Sequence, residues 1–305
     1  RAGIVLGIGD DAAVVAGGRA TVLTQDLLVD GVHFRRDQTS ARDLGHKAIA
    51  VNLSDLAAMG ARPLAAVVGS AAPRGELADL LDGLYAGMDQ LAAHFEASIV
   101  GGDITRSTEL MLAVAAVGTL PDEETAVTRD GASPGDTVFV TGPLGGAAGG
   151  LLLLDEPDLS KAVSAPDALR HAYCRPWPRV REGLCLAEAG VSAMMDISDG
   201  LLLDATRMGA ASEATIQIDL DAIPVAPGLI ELGRECGFDS RRVAASGGDD
   251  YELLVSARPE SAQAARDAGV SLTPVGRVLD GPARLRVTDA GIEIEPGDLG
   301  WEQDV

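Results

Sequence analysis

The pattern of hydrophobic and polar residues alternates between short β-type runs and longer segments rich in alanine and leucine. This alternation predicts an α/β or α+β architecture. The predicted strands are Ala20–Thr24, Leu64–Ser70, Ser98–Val100, Leu110–Leu120, Thr137–Thr141, Ala193–Ile197, Thr215–Asp219 and Glu252–Ala257. The predicted helices are Ala41–Met59, Leu77–Phe95, Gly146–Leu154, Pro178–Ala189, Leu201–Ser212 and Ser261–Ala268.

A polar stretch between strong strands, Pro121–Gly135, carries turn residues and predicts a domain boundary. The 305 residues are enough for two domains of ordinary size. We therefore expect an N-terminal domain over residues 1–121 and a C-terminal domain over residues 122–305. A second flexible zone is expected at Asp155–Ser164.

The charge of the chain is strongly acidic, with 46 Asp and Glu against 24 Lys and Arg and a formal net charge of −22. This charge disfavours nucleic acids and acidic membrane surfaces as partners, because both are polyanions. A phosphate ligand would require divalent cations between the carboxylates and the phosphate. An acidic surface that only maintains solubility is the alternative, and the positions of the acids must decide.

The three cysteines form no CxxC pair, so we expect neither a disulfide framework nor a zinc site. A reducing, cytoplasmic location fits this usage. The longest apolar stretch, Leu110–Leu120, is too short to span a bilayer, and we expect no membrane association. The chain opens with RAGIVLGIGDD, which has no signal-peptide pattern and begins abruptly, so we expect residues upstream of Arg1.

Acidic residues follow apolar strand-like runs in five places, often beside glycine. They are Asp10, Asp11, Asp26, Asp103, Asp196, Asp199, Asp249 and Asp250. A single acid in such a place is usually a turn former or a helix N-cap. Because the carboxyl ends of strands are where open α/β sheets bind ligands, the recurrence favours a polyphosphate site that holds several Mg²⁺ ions.

Asp55 lies in an apolar helical stretch, HKAIAVNLSDLAAMG, and shares a helix face with Asn52. A buried carboxylate is costly unless it is paired or bound to a metal, which favours a ligand role. The alternative is that Ser54 or Asp55 caps a new helix after a break.

Several phosphate-binding motifs are absent, including the P-loop GxxxxGK[ST] and the HRD and DFG set of protein kinases. With only two lysines in the chain, phosphate charge must be met by metals, arginine and backbone N–H groups. The segment VTGPLGGAAGGLLLL could present amides to an anion at a helix N-terminus, or its glycines could serve helix packing. No nucleophile or general base stands out, and of the four histidines only His33 lies in a suggestive place.

An ordered set of motifs now carries a family resemblance. GIGDDAAVV, TQDLLVDGVHF, KAIAVNLSDLAAMGARP, VGGDITRS, VTRDGASPGD, VTGPLGGAAGGL, RPWPRV, DISDGL and SGGDDYEL resemble the thiamine-monophosphate kinases, within the aminoimidazole ribonucleotide synthetase-like superfamily. The resemblance covers Gly7 to Trp301. It implies a transferase that phosphorylates thiamine monophosphate to thiamine diphosphate, with ATP as co-substrate and several Mg²⁺ ions. It also implies a two-domain PurM-like fold, whose N-terminal sheet domain forms the interface of a homodimer and whose C-terminal domain is α/β.

The resemblance also assigns residues, position by position. The implied metal-site residues are Asp11, Thr24, Asp26, Asp55, Asp103, Asp196 and Asp199. The implied ATP contacts are Tyr85, Gly102, Asp103, Arg129 and Ser198. The implied contacts with thiamine monophosphate are His33, Asp249 and Trp301. The chain departs from the family at Gln25, commonly Thr, at Asp249, commonly Glu, in the loop LGGAAGG, and in the tail GWEQDV.

Other members of the superfamily are the main alternatives. Selenophosphate synthetase needs a reactive residue near the N-terminus, whereas the first cysteine here is Cys174. The hydrogenase-maturation relative carries a C-terminal cysteine that this tail lacks. A non-catalytic module that binds divalent ions or nucleotides is the alternative from a different class.

Overall fold

A computed structural model of the chain describes residues 4–6, 9–16, 20–121 and 126–301. Their contacts divide the chain into two compact units. The first comprises the described residues up to Ala126 together with Cys174–Val180, and the second comprises Val127–Tyr173 and the described residues from Arg181 onward. The sequence predicts one boundary after residue 121, but Cys174–Val180 makes its contacts in the first unit.

The first unit contains one sheet and two long helices among its described residues. Its strands are β1 (Ile4–Leu6), β2 (Ala13–Ala16), β3 (Ala20–Val29), β4 (Arg62–Ala72), β5 (Ser98–Arg106) and β6 (Met111–Thr119), and its helices are α1 (Ala41–Ala58) and α2 (Leu77–His94). The strand order is β1-β2-β3-β6-β4-β5, in which β4 and β5 are parallel and the other pairs are antiparallel.

Alternation along β3 gives the sheet two different faces. Val22, Thr24 and Leu28 are buried on the side that α1 packs against, whereas Leu23 and Leu27 are exposed on the other side. The two-residue period of the strand therefore directs the side chain of Thr24 toward the helix, and it leaves apolar side chains on the opposite face of the sheet.

Helix α1 has clear signals at both ends. Ser40 is its N-cap, in extended conformation, and its side chain accepts a hydrogen bond from the backbone N–H of Asp43. The helix ends before Gly60, whose φ of 66° is a left-handed conformation that favours glycine. The helix runs unbroken through Asn52 and Asp55, so the alternative of a break with a cap at Ser54 or Asp55 is wrong.

The second unit contains a mixed sheet with helices around it. Its strands are β7 (Thr137–Val140), β8 (Ala193–Asp196), β9 (Thr215–Asp219), β10 (Leu253–Ala257), β11 (Thr273–Leu279), β12 (Arg284–Asp289) and β13 (Ile292–Ile294). The helices that start between Gly146 and Pro259 are α3 (Gly146–Asp155), α4 (Pro166–Cys174), α5 (Val180–Glu188), α6 (Leu201–Ala211), α7 (Pro227–Cys236), α8 (Ser240–Ser246) and α9 (Pro259–Asp267). The described strands follow the order β13-β12-β9-β11-β7-β10-β8, with only the β9–β12 pair parallel.

The core of the second unit lies between this sheet and its helices. Val138, Ile216 and Leu254 from the strands pack in one buried cluster with Leu201 and Met208 from α6. This packing anchors α6, and with it the loop that connects β8 to α6.

The structure of this unit adds detail to the sequence prediction. Within the zone Asp155–Ser164, which the sequence predicts to be flexible, Pro157–Ala162 forms a 3₁₀-helix. Helices α4, α7 and α8 and strands β11 to β13 are absent from the sequence prediction. In the described ranges, no helix combines the length and the apolar character needed to cross a bilayer.

Candidate functional site

Three oxygen-bearing side chains meet between β3, α1 and the segment before β2. The hydroxyl of Thr24 donates to the carboxylate of Asp55 and also lies 3.5 Å from the carbonyl oxygen of Asp11. A carboxylate oxygen of Asp11 lies within 4.8 Å of one from Asp55. Together with Asp26, these residues form the Asp55 cluster (Asp11, Thr24, Asp26 and Asp55).

Asp26 is held in this cluster by a buried amide. The side-chain oxygen of Asn52 accepts from the backbone N–H of Asp26 at 3.2 Å, and its Nδ2 donates to the carbonyl of Ala48 at 3.1 Å. Asn52 therefore ties β3 to α1 at the level of Asp26. Asn52 and Asp55 lie on one face of α1, as predicted. Both side chains contact β3 from that face, Asn52 at Asp26 and Asp55 at Thr24.

Burial raises the pKa of Asp26 to about 6, and a side-chain hydrogen bond with Asp55 opposes that rise. Its Oδ2 is buried and finds no hydrogen-bond donor within the described residues. Two ionised carboxyl groups in contact repel each other, so either one of them keeps its proton or a cation lies between them. An all-oxygen donor set with one such buried oxygen fits a hard divalent cation such as Mg²⁺.

Asp103 lies elsewhere in the first unit. It pairs with Gly69, which pairs with Ala113, which pairs with Leu27. Three strand spacings of about 4.8 Å separate the ends of this row, so the backbones of Asp103 and Asp26 are roughly 14 Å apart. Within one chain, Asp103 therefore does not join the Asp55 cluster.

Asp103 instead lines a surface groove of about 540 Å³ along the edge strand β5. Tyr85 from α2 and Gly102 line the same groove, together with Ile99, Gly101 and Ile104. The structure thus brings together three of the five residues that the resemblance implies as ATP contacts.

His33 follows β3 in a tight turn. Its Nδ1 accepts from the backbone N–H of Val29 at 3.1 Å, which leaves the proton of a neutral ring on Nε2. The ring is therefore oriented by the backbone, and Nε2 is the nitrogen that carries the proton.

In the second unit, the loop from Asp196 to Gly200 links β8 to α6 and carries three predicted site residues. Asp196 is the last residue of β8 and is buried, and Ser198 and Asp199 follow it. Gly200 has a φ of 120°, and a Cβ there would lie 2.6 Å from the carbonyl oxygen of Ser246, so this turn requires glycine.

The same loop binds both predicted substrate residues of this unit through its carbonyl groups. The N–H of Asp249 donates to the carbonyl of Ser198 at 2.7 Å, and the N–H of Trp301 donates to the carbonyl of Asp199 at 2.9 Å. Main-chain hydrogen bonds therefore place Ser198, Asp199, Asp249 and Trp301 side by side.

Asp249 and Tyr251 have left-handed backbones, with φ of 66° and 50°. Such conformations are uncommon outside glycine and cluster at functional sites. The Tyr251 hydroxyl donates to Asp249 at 2.9 Å and fixes the direction of that carboxylate.

Asp204, in the first turn of α6, is fully buried beneath the loop. Burial, together with the charges of Asp196 and Asp199, raises its pKa to about 7, although Arg207 opposes this rise. Arg207 contacts the carboxylates of both Asp199 and Asp204.

Arg129 lies apart from Ser198. Its carbonyl accepts from the hydroxyl of Ser212, which caps the C-terminal end of α6. Ser198 precedes the N-terminal end of that helix, about 16 Å away along the axis at 1.5 Å per residue. The structure does not bring these two backbones together.

The glycine-rich segment at the start of α3 already binds a carboxyl group. Both carboxylate oxygens of Asp250 accept from this segment, from the N–H of Gly145 at 2.6 Å and from that of Ala147 at 3.2 Å. A Cβ at Gly150 would lie 2.1 Å from the carbonyl of Leu169, so α4 packs directly on this helix. The glycines of this segment therefore serve helix packing, and the carboxyl group of Asp250 satisfies its amides.

The sequence prediction misses three residues that shape the site: Asp204, Arg207 and Tyr251. Asp204 carries the same signal that singled out Asp55, an acid within an apolar helical run, here LLLDAT. Arg207 follows it at the i+3 position of the same helix.

Both halves of the chain match known domain families. Residues 9–120 match the family described as AIR synthase related protein, N-terminal domain, and residues 133–288 match AIR synthase related protein, C-terminal domain.

Full-length relatives give a more specific match. The thiamine-monophosphate kinase of Mycobacterium tuberculosis is 37% identical over 303 residues, which cover 98% of this chain and 86% of the relative. That of Corynebacterium glutamicum is 38% identical over 256 residues, covering 81% of this chain and 75% of the relative.

Solved structures agree with this match. A structure of AaThiL complexed with AMPPCP and TMP superposes with a TM-score of 0.86 at 32% identity, over 96% of this chain and 91% of that one. Hydrogenase maturation protein HypE superposes with a TM-score of 0.75 at 20% identity, over 96% of this chain and 93% of that one, which shows a likeness of fold alone. With its two AIR synthase related domains in a PurM-like fold, the chain belongs to the thiamine-monophosphate kinase family.

Proposed function

We propose that the chain transfers the γ-phosphoryl group of ATP to thiamine monophosphate, and so forms thiamine diphosphate and ADP. The observation that carries this proposal is the loop from Asp196 to Gly200. Its carbonyl groups hold Asp249 and Trp301, the proposed acceptor contacts, directly beside Ser198 and Asp199. The family to which the chain belongs, and the AMPPCP and TMP of the similar AaThiL structure, support the choice of substrates.

The acceptor explains why the site needs no general base. The phosphate of thiamine monophosphate is largely ionised near neutral pH, because its second pKa is about 6. Phosphoryl transfer depends mainly on positioning and on charge neutralisation. We therefore propose direct in-line transfer from ATP, without a covalent intermediate on the protein.

The acceptor contacts have complementary chemistry. Trp301 presents an indole that can stack on the cationic thiazolium ring of thiamine monophosphate. Asp249, oriented by Tyr251, is the proposed carboxylate contact in the same unit. His33 is the proposed contact from the first unit, with the Nε2 proton as its donor.

The ATP contacts are proposed to be Tyr85, Gly102, Asp103, Arg129 and Ser198. Of these, the first three line one groove. Tyr85 gives that groove an aromatic face on which a nucleotide base can stack. Ser198 lies in the loop that holds the acceptor contacts, which is the position expected of a residue near the transferred phosphoryl group.

Mg²⁺ is the proposed metal, and the residues proposed to hold it are Asp11, Thr24, Asp26, Asp55, Asp103, Asp196 and Asp199. The buried, unpartnered Oδ2 of Asp26 supports this assignment for the Asp55 cluster. When bound, Mg²⁺ neutralises the negative charge of the transferring phosphoryl group. The carboxylates of this chain would repel the phosphates of both substrates without such cations, since its net charge is −22.

A homodimer is proposed from the exposed face of the first sheet. Leu23, Leu27 and Val67 are between 43% and 48% exposed there, and exposed apolar residues grouped on one face are typical of an interaction surface. In the register of the sheet, the side of Leu23 and Leu27 continues through Val117 and Ala113 of β6. A second copy of the chain that packs on this face would remove these side chains from water.

The test is a product assay with a panel of acceptors. Purified protein is incubated with Mg·ATP and thiamine monophosphate, and thiamine diphosphate and ADP are measured separately. Equal amounts of both products are expected, with thiamine in place of its monophosphate as the negative control. ADP formed only with a different acceptor would indicate another activity of the superfamily. Metal binding without any ADP would indicate a non-catalytic module.

A further inference from the structure

Three donors converge on the carboxylate of Asp204, which the reaction described above does not use. Its Oδ2 accepts from the backbone N–H groups of Asp199 and Gly200, both at 3.2 Å. Its Oδ1 accepts from Arg207 at 2.9 Å. Burial of a carboxylate costs free energy that burial of a hydrophobic residue would not. What this carboxylate provides in return is a set of hydrogen bonds that hold the loop in one conformation.

The geometry of one peptide unit connects Asp204 to Trp301. The N–H of Gly200 and the carbonyl of Asp199 belong to the same peptide group. Because that group is planar and trans, its N–H and carbonyl point in opposite directions. Asp204 holds the N–H side, and the carbonyl on the other side accepts from the N–H of Trp301 at 2.9 Å.

A second contact holds the tail at the same place. The N–H of Leu203 donates to the carbonyl of Leu299 at 3.0 Å. The tail from Leu299 to Trp301 is therefore bound to the loop and to the first turn of α6, the two elements that Asp204 joins.

We infer that Asp204 is a positioning residue for the acceptor site. By fixing the direction of the Asp199–Gly200 peptide, it holds the carbonyl that binds the tail and so places the indole of Trp301. Its relevance to turnover rests on the proposed function, in which Trp301 contacts thiamine monophosphate. The placement of Trp301 itself is independent of that function and can be measured without substrates.

The experiment uses the fluorescence of Trp301. The chain has two tryptophans, and Trp177→Phe leaves Trp301 as the single one. In that background, Asp204→Ala is expected to change the emission maximum of Trp301 and to increase its quenching by acrylamide. It is also expected to raise the KM for thiamine monophosphate by about tenfold, the loss of one positioning contact of about 1.4 kcal/mol. Asp204→Asn keeps an oxygen that can accept from both amides, and it is expected to retain the original emission and KM.

Asp136→Ala is the matched control. Asp136 is also a buried carboxylate of the second unit, and it accepts from the N–H of Ser133 at 3.1 Å and from Ser256 at 3.0 Å. Its loss should lower the melting temperature and leave the emission of Trp301 unchanged.

Unchanged emission and quenching in a folded Asp204→Ala variant would overturn the inference. The same follows if Asp204→Asn loses the signal to the same extent as Asp204→Ala. If Asp204→Ala does not melt cooperatively, Asp204→Glu replaces it, because the longer side chain keeps the charge but displaces the acceptor. Asp204→Glu should then shift the emission while Asp204→Asn does not, and equal emission from the two would refute the role. Failure of the kinase assay with a normal fluorescence result would refute the proposed function alone.

Discussion

The backbone N–H of Trp301 donates a hydrogen bond of 2.9 Å to the carbonyl oxygen of Asp199. The bond uses main-chain atoms on both sides, so it does not depend on which side chains the tail carries. A tail that departs from the common family pattern can therefore still place an aromatic residue beside the loop that carries Ser198 and Asp199. The sequence of the tail determines only which aromatic side chain lies beside that loop.

Replacement of Trp301 by alanine should weaken acceptor binding selectively. The main-chain bond to Asp199 survives the change, and the side chain is 46% exposed, so the melting temperature should stay within about one degree. Loss of a cation–π contact worth about 1–2 kcal/mol predicts a rise of roughly tenfold in the KM for thiamine monophosphate. The KM for ATP should not change, and Trp301→Phe should give an intermediate value.

Trp177→Phe is the control for that measurement, since Trp177 packs against His94 at 4.8 Å in the first unit. An equal rise of both KM values in Trp301→Ala would argue against a specific acceptor contact.

Asp26→Asn should separate activity from stability. Loss of a proposed metal ligand is expected to lower kcat by about a hundredfold or more, in line with the loss of charge stabilisation at a reacting group. Yet burial raises the pKa of Asp26 from 3.8 to about 6, so its charged form destabilises the metal-free fold above about pH 6. A shift of two units corresponds to about 3 kcal/mol at most, which the neutral asparagine does not incur.

Melting of the metal-free protein at about pH 8 checks the stability half of this prediction. Asp26→Asn should melt higher than the unmodified chain and gain less from added Mg²⁺. Asp158→Asn, on an exposed carboxylate, should change neither property. A variant that turns over normally, or that melts lower without metal, contradicts the assignment.

The pH dependence of stability can be tested at Asp250, which is not a proposed metal ligand. Burial raises its pKa from 3.8 to about 7, although two backbone N–H groups at the start of α3 lower it. The folded state then binds the proton more tightly than the unfolded state does. Stability contributed by the protonated form is complete below about pH 4 and is lost as the pH rises through about 7.

Denaturant unfolding of the chain and of Asp250→Asn across this range is the measurement. Relative to the variant, the unmodified chain should lose free energy of unfolding as the pH rises. If it instead gains stability with rising pH, the two amides outweigh burial, and the pKa of Asp250 is depressed.

A charge on the exposed face of the first sheet should break the proposed dimer. Val67 lies in β4 and is 44% exposed, and Val67→Glu would bury a carboxylate in the interface without a partner. Light scattering should give twice the chain mass of 31.2 kDa for the unmodified protein and the single mass for the variant. Ile230→Glu, on an exposed apolar residue of the second unit, should remain dimeric. A monomeric unmodified chain would refute the dimer.

Local patterns predicted the parts of the site that lie on single elements. The helical period placed Asn52 and Asp55 on one face of α1. The predicted strand Ala20–Thr24 stopped before Asp26, whereas β3 continues to Val29, and Thr24 was assigned by the resemblance alone. These residues meet because α1 covers the inner face of the sheet. Asp204 was missed although its setting in LLLDAT resembles that of Asp55, because an acid in the first helical turn is also an ordinary helix-dipole partner.

Local patterns do not predict contacts between residues that are far apart in the sequence. Asp250 satisfies amides about a hundred residues earlier in the chain, so the glycine-rich segment looked like an open anion site. Likewise, the distance of Asp103 from Asp26 depends on the strand order β3-β6-β4-β5, which periodicity does not specify. Strand β11 contains a proline and a glycine, β12 alternates apolar with charged residues, and β13 has only three residues, so their patterns were too weak to predict.

Transfer of a labelled phosphoryl group tests the central claim most directly. The protein is mixed in a single turnover with Mg·ATP, radiolabelled in its γ-phosphoryl group, and with thiamine monophosphate, and the products are separated. We expect the label in the terminal phosphate of thiamine diphosphate, at an amount equal to the ADP formed, with none transferred when the metal is chelated. Label that appears only in inorganic phosphate, or on the protein itself, would contradict direct transfer.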